Sequence, residues 1–148
     1  MLADEVDFVI GVDTHAERHA LVLLEAQGGR SCRSLMIPAT RLGYWQALCL
    51  ARRQAAGRRA WAIEGTGSYG AGLARFLQTR GERVLEVERP RREGRQGRLK
   101  SDPLDAERAA RQLLAGAVGA RPRLQATTQA LRALLVSRES AVDQRTAA

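Results

Sequence analysis

The sequence predicts an α/β domain built on a mixed sheet: three antiparallel strands, then α/β crossovers, then a C-terminal helical arm. Two patterns and the composition predict it. Compact apolar runs of strand length, separated by glycine or polar turns, fill the first third of the chain, and from Thr40 onward helical spacing alternates with further strand-like runs. Hydrophobic residues make up 45% and charged residues 27%, which supports a core and argues against wholesale disorder. A length of 148 residues suits one domain plus a small appendage, here residues 1–116 and a helical arm over 117–148.

"DFVIGVD" and "HALVLLEA" read as the first two strands, "QGGR" as a glycine turn, and "SLMI" as the third strand. Such short connections favour an antiparallel meander. Leu42, Trp45, Leu48 and Cys49 then stand at helical spacing until Gly57 stops the pattern. "RAWAIE", Arg59 to Glu64, reads as a strand; "GSYGAGLARFLQTRG" as a helix with Leu73, Phe76 and Leu77 inward; and "RVLEVE" as a strand. A strand, one helix and a strand imply a right-handed parallel crossover. "RPRREGRQGR", residues 89–98, is polar and glycine-broken and reads as a basic loop. A helix is expected from Asp102 to Ala115, with Leu104, Ala109, Leu113 and Leu114 available to pack. After "AGAVGARP", a second helix carries Leu124, Leu131, Leu135 and Val142 at roughly heptad spacing, which suits an arm that seeks a partner.

The formal charge is +8, the pI is near 11.0, and every basic residue except Lys100 is arginine. Such a surplus favours polyanionic partners, because neutralised phosphates release condensed counterions. Cys32 and Cys49 form neither a C-x-x-C pair nor a zinc spacing and read as ordinary small apolar residues in a reducing compartment. The N-terminus opens with Asp4, Glu5 and Asp7 instead of a basic segment, and no apolar run approaches the ~18 residues that span a bilayer. These features predict a cytoplasmic protein with no membrane partner.

The acids that invite a chemical reading sit at element ends. Asp13 closes the first strand and Glu64 the fourth; if those strands are neighbours, both carboxylates project from one sheet edge, where active sites of open α/β sheets lie. Asp102 and Asp105, three apart, share one helix face. Four converging carboxylates repel one another unless divalent cations sit between them. Mg²⁺ prefers such oxygen ligands, and a pair of ions ~3.5–4 Å apart stabilises both oxygens of a phosphodiester exchange. Each acid also has a plainer role. Asp before Pro with Asp three residues on is a good helix start, and a lone strand-terminal Asp is often a turn residue. The metal reading rests on the combination.

"GTGSYG", Gly65 to Gly70, follows a strand and precedes a helix as a dinucleotide fingerprint does, with Glu86 or Glu88 placed for a ribose. Glu64 beside a pyrophosphate and the three leading antiparallel strands count against it. Glycines for a tight turn and close packing are the plain alternative. A third reading brings this loop to a nucleic-acid phosphate, with Ser68 and Tyr69 as contacts. "GVDTHAERHALVLL" also fits the opening of a sugar-kinase or actin-like lobe, but the chain supplies no second lobe. His15 and His19 stand four apart with no helix expected and no third ligand evident, so they read as flanking a strand turn and not as a zinc site. No serine sits in a G-x-S-x-G elbow. The run Arg89, Arg91, Arg92, Arg95, Arg98 and Lys100 abuts the second acid pair and would lead a nucleic-acid backbone toward it. With no aromatics interleaved, binding there is expected to be salt-sensitive and weakly sequence-selective.

Taken together, "IGVDTHAERHALVLL", "IEGTGSYGAGLARFL" and "RPRREGRQGRLKSDPLDAERAARQLLAG" resemble the N-terminal part of the DEDD transposases, the insertion-sequence family one-hundred-ten and its relative the Piv DNA invertase. The resemblance runs from about Phe8 to Gly116. It implies a RuvC-like fold of the ribonuclease H class, with the catalytic, metal-binding acids falling on Asp13, Glu64, Asp102 and Asp105. It also implies Mg²⁺, with Mn²⁺ as a substitute, DNA strand cleavage and exchange, a structured bridge RNA as partner, and oligomers formed through helical segments. Family members continue into a second domain with a serine nucleophile. This chain, ending at Ala148 in the expected arm, is therefore expected to be an isolated domain, a truncated element or one piece of a split protein, holding half of a composite site. The alternative of another class is a non-catalytic nucleic-acid-binding or dimerising remnant.

Overall fold

The computed structural model describes residues 1–88, 102–116 and 121–122. The described elements are α1 (Leu2–Glu5), β1 (Phe8–Thr14), β2 (Arg18–Glu25), β3 (Ser31–Pro38), α2 (Arg41–Gln54), β4 (Arg59–Glu64), α3 (Ala71–Gln78), β5 (Arg83–Val87) and α4 (Asp102–Leu114). Only α1 is unforeseen. The five strands form one sheet in the order β3-β2-β1-β4-β5. β1 pairs antiparallel with β2, as β2 does with β3, whereas β1–β4 and β4–β5 are parallel. This is the predicted meander followed by crossovers. The basic segment 89–100 and the heptad-spaced stretch after Pro122 lie outside the described residues.

Strand alternation sorts the apolar residues onto two faces. On one, Ile10, Val12, Leu21, Leu23, Trp61 and Ile63 meet Leu48 of α2 and Leu73 and Leu77 of α3. On the other, Val9, Ala20, Val22, Ala60 and Ala62 meet Ala106, Ala109, Ala110 and Leu113 of α4. The first face is large and branched, and full burial of each such side chain stabilises by about 1.5–3 kcal/mol. The second is small, and at Gly11 it has no side chain at all. A Cβ built there would lie 1.9 Å from the Ala106 carbonyl oxygen and 2.9 Å from the Ala110 Cβ. The absence of a side chain thus lets the α4 backbone rest directly on β1.

Two predicted helix faces are corrected. α2 has the expected period and its Thr40 cap, whose hydroxyl accepts from the Gly43 N–H, but it buries Gly43, Ala47, Leu48 and Ala51. Leu42 is 68% exposed, and Cys49 is exposed as well. Trp45 packs edge-on against Phe76, with the Arg80 guanidinium 4.6 Å from its ring centre, so a cation covers the indole in place of the core. In α4, Leu104 is 54% exposed and alanines take the inner face. Both cysteines are exposed free thiols; Cys32 lies on edge strand β3, with its sulfur 3.6 Å from Glu25 Oε1. α3 begins later than expected, at Ala71, because residues 65–70 close into a turn of their own.

At the edge where β4 and β5 begin, Glu82 is clamped by three donors: Arg59 Nε at 2.7 Å, Arg59 Nη2 at 2.6 Å and the Trp61 indole N–H at 3.0 Å. Its side chain is only 6% exposed. Burial raises its carboxyl affinity for a proton, but the Arg59 and Trp61 bonds outweigh that, and the net pKa is lowered. A carboxylate with a depressed folded-state pKa stabilises fully above its unfolded value, near 4.5. That contribution is lost as pH falls through the folded value.

Two outcomes are expected in urea denaturation. Glu82→Gln, which leaves the Arg59 charge without its counter-ion, should cost about 3 kcal/mol at pH 7. It should also flatten the decline in stability below pH 4.5, the ordinary value of the group. Gly11→Ala should cost about 1–3 kcal/mol by overpacking. A second change, Ala110→Gly, should not restore it, because the nearer obstruction is a backbone oxygen; full rescue would show that α4 does not rest on β1 in this way.

Candidate metal centre

Asp13 is the next-to-last residue of β1 and shares the parity of Val9 and Gly11, so it faces the α4 side. Glu64 ends β4 with the parity of Ala60 and Ala62, facing the same side. Both are nearly inaccessible, at 2% and 4% exposure. The condition set by the sequence is met: the two strands are parallel neighbours, in register from Phe8 and Arg59 to Val12 and Ile63. Their ends are fastened by a buried bond in which the Thr14 hydroxyl donates to the Glu64 carbonyl oxygen at 2.9 Å.

Asp102 arrives from the first residue of α4, and Asp105 lies one turn along. The close seat of α4 on Gly11 brings Asp102 to Asp13, and a third side chain stands with them. His15 Nε2 is 2.9 Å from Asp13 Oδ2 and 3.6 Å from Asp102 Oδ1. One donor atom each from Asp13, His15 and Asp102 falls within 4.8 Å of the others. Glu64 and Asp105 stand outside that group of three. Asp105 accepts from Arg108 Nη1 at 2.7 Å. Arg18 Nη2 stands 3.7 Å from the second Asp102 oxygen.

His15 and His19 flank the β1–β2 turn, as the sequence predicts, and the structure adds the two acids as partners of His15. The two histidines part company, because His15 continues the parity of Asp13 while His19 faces the opposite side. His19 is fully buried and stacks on Tyr44, with ring centres 6.0 Å apart. Burial pushes its imidazole below the ordinary histidine range, and its Nδ1 accepts from the His15 backbone N–H at 3.4 Å. The legible signal for His15 was D-x-H at a strand end, since residues i and i+2 share a face.

The "GTGSYG" loop folds on itself. Gly65 has φ +65°, and its carbonyl accepts from the backbone N–H groups of Ser68 and Gly70 and from the Ser68 hydroxyl, at 2.9, 3.0 and 3.1 Å. A Cβ at Gly70 would lie 2.9 Å from the Glu64 carbonyl oxygen. These glycines therefore serve a tight turn and close packing. Ser68 and Tyr69 are exposed beside the Glu64 end of β4.

The donor set fits a divalent cation. Two carboxylates ~4.5 Å apart repel by about 3–4 kcal/mol at an effective dielectric constant near 20, and a cation between them reverses the sign. Carboxylate oxygens suit hard ions, and the imidazole adds a nitrogen donor.

A family model of the DEDD transposases of the IS110 type, described as "Transposase", matches residues 10–148. A search of curated proteins found no match. Among solved structures, the chain is similar to RuvC of T. thermophilus in complex with a Holliday junction substrate, at 12% identity and a TM-score of 0.56, covering 76% of this chain and 99% of that one. At that identity the likeness speaks for the fold, and it agrees with the meander and crossovers described above. Among the described residues, no helix is long and apolar enough to cross a membrane. The family match spans nearly the whole chain and the fold is RuvC-like: the protein belongs to the DEDD transposases of the IS110 type.

Proposed function

We propose that this chain is the RuvC-like catalytic part of a transposase that cleaves and exchanges DNA strands as an insertion sequence moves. In this reading residues 1–116 are the catalytic domain and 117–148 a helical arm that joins copies of the chain. Asp13, Glu64, Asp102 and Asp105 hold Mg²⁺, for which Mn²⁺ substitutes. The observation that carries the reading is the meeting of Asp13 and Asp102, from β1 and α4, beside Glu64 on the same face and edge of the sheet. The similarity to a protein solved with a Holliday junction substrate supports DNA as the substrate class.

When bound, the divalent ion supplies charge for the attacking and leaving oxygens of a phosphodiester. The chain's own residues do the rest. Asp13 and Glu64, buried at the ends of paired strands that the Thr14 bond joins, form the base of the site. The α4 start presents Asp102 from the opposite side. Arg89, Arg91, Arg92, Arg95, Arg98 and Lys100 draw in the nucleic-acid backbone, and Ser68 and Tyr69 meet it beside Glu64. A structured bridge RNA supplies the choice of DNA sites, because backbone contacts carry little sequence information. The setting is the bacterial cytoplasm, at the nucleoid. The competing reading, a nucleic-acid-binding remnant whose acids no longer serve catalysis, draws on the chain's own cations beside Asp102 and Asp105.

Calorimetric titration of Mg²⁺ and Mn²⁺ with and without a short DNA duplex separates the two. Wild type should bind either ion and bind more tightly with DNA. Asp13→Asn, and the pair Asp102→Asn and Asp105→Asn, should each weaken binding at least ~100-fold while the fold persists by circular dichroism. Binding indifferent to these acids under both conditions leaves the remnant as the better account. DNA affinity should fall with salt at a log–log slope near −5 if all six basic residues of the 89–100 segment meet phosphates. Neutralising three of them should reduce the slope by about 3.

A further inference from the structure

We propose that His15 is a metal ligand of the site, binding the cation through Nε2 beside Asp13 and Asp102, so that the centre has mixed nitrogen and oxygen donors and prefers Mn²⁺ to Mg²⁺. The proposal rests on the metal reading of the acids and deepens it, because the four acids alone describe an all-oxygen site.

Three observations carry it. First, the ligand atoms of Asp13, His15 and Asp102 all lie within 4.8 Å of one another, close enough to share an ion; among the described residues no other set of three His, Cys, Asp or Glu side chains does so. Second, Nε2 is the ring atom that points inward, 2.9 Å from one carboxylate and 3.6 Å from the other. Both contacts use the one ring atom, so the imidazole and the two carboxylates converge on a single point. Third, the position of the ring is built from behind. The His15 N–H donates to His19 Nδ1 at 3.4 Å and to the Arg18 carbonyl at 3.2 Å, which closes the β1–β2 turn. His19 itself is fully buried, with an Nε2 that has no hydrogen-bond partner among the described residues. A buried donor without a partner costs about 1–3 kcal/mol, and a leucine or phenylalanine would avoid that. What the histidine adds at this place is an acceptor for the His15 backbone.

Without an ion, Nε2 and Asp13 Oδ2 stand at hydrogen-bond distance, 2.9 Å. Coordination takes the tautomer with hydrogen on Nδ1 and the Nε2 lone pair facing the site. Imidazole nitrogen suits first-row transition ions, Mn²⁺ the least of them, better than it suits Mg²⁺, which demands near-ideal octahedral geometry and gives up water reluctantly. One nitrogen donor therefore tilts selectivity toward Mn²⁺ without abolishing Mg²⁺ binding.

The test is pulsed electron paramagnetic resonance of Mn²⁺ bound to the full chain, which detects a directly coordinated imidazole by its nitrogen modulation. Wild type should show ¹⁴N modulation that converts to the ¹⁵N pattern when the protein is grown on ¹⁵N-histidine, a measurement that needs no variant. His15→Gln should lose the modulation and weaken Mn²⁺ binding at least ~10-fold, whereas His15→Asp should restore Mn²⁺ binding with no nitrogen signal and a lower Mn²⁺-to-Mg²⁺ affinity ratio. Mn²⁺ that requires Asp13 and Asp102 yet shows no histidine nitrogen overturns the role of His15 and leaves the acid site standing. Mn²⁺ binding that is absent, or that survives Asp13→Asn and Asp102→Asn, overturns the acid site and His15 with it.

Discussion

The site depends on how closely α4 lies on β1. A helix normally rests on a sheet through a layer of branched side chains, which would hold its first turn well away from the strand ends. Here Gly11 contributes no side chain, and the facing residues Ala106, Ala109 and Ala110 contribute methyl groups, so backbone meets backbone. The position of Asp102 relative to Asp13 then follows from packing and not from the long connection between β5 and α4. Interiors this close-packed have no slack, so a displacement of α4 by one methyl group is felt at the carboxylates.

Such a thin interface buries little apolar area per residue, and the opposite face of the sheet compensates. Trp61, Leu21, Ile37, Leu48, Ile63, Leu73 and Leu77 are essentially inaccessible there, under α2 and α3. One face supplies cohesion and the other supplies proximity. The charged groups are divided along the strands in a similar way. The Arg59, Glu82 and Trp61 cluster fastens the edge where β4 and β5 begin, while Asp13 and Glu64 stand at the edge where β1 and β4 end. The buried Arg59–Glu82 pair is therefore at the opposite end of β4 from the acids that would take a cation.

Much of this was legible in the sequence, for identifiable reasons. Strands read well because the runs around Val9, Leu21 and Ile63 are continuous and bounded by turn residues, and the parity of Asp13 and Glu64 follows from counting along those strands. Helix existence read well, but helix faces did not. In α2 the eye follows Leu42 and Trp45, whereas the helix buries Gly43, Ala47 and Ala51, because the face toward β3 is narrow: a Cβ at Gly43 would sit 2.0 Å from the Pro38 carbonyl oxygen. The same preference for small residues misassigned Leu104 in α4. Hydrophobic period locates a stripe by size, and where backbones approach closely the buried stripe is the small one. His15 was missed for a related reason. The other histidine, four residues away, is the obvious partner in the sequence, whereas the partner in the fold is the aspartate two residues back on the same strand face.

The described acids are not waiting in an empty electrostatic field. His15 serves Asp13, Arg18 approaches Asp102, and Arg108 holds Asp105. These partners differ in how firmly they hold. The Arg18 contact is 3.7 Å long on a well-exposed guanidinium, and such a pair contributes about 0–1 kcal/mol. The His15 contact is 2.9 Å to a carboxylate that is almost wholly buried, where losing a hydrogen bond costs more than it does at the surface. Asp102 is thus held more loosely than Asp13, and an ion that takes the place of the His15 hydrogen is a substitute partner for Asp13. A site in which the substitute shares His15 with Asp13 avoids that cost, since the ring stays where the β1–β2 turn and His19 hold it and only its hydrogen moves. The geometry of the turn, fixed by the His15 N–H that the Arg18 carbonyl and His19 Nδ1 share, is what makes that exchange local.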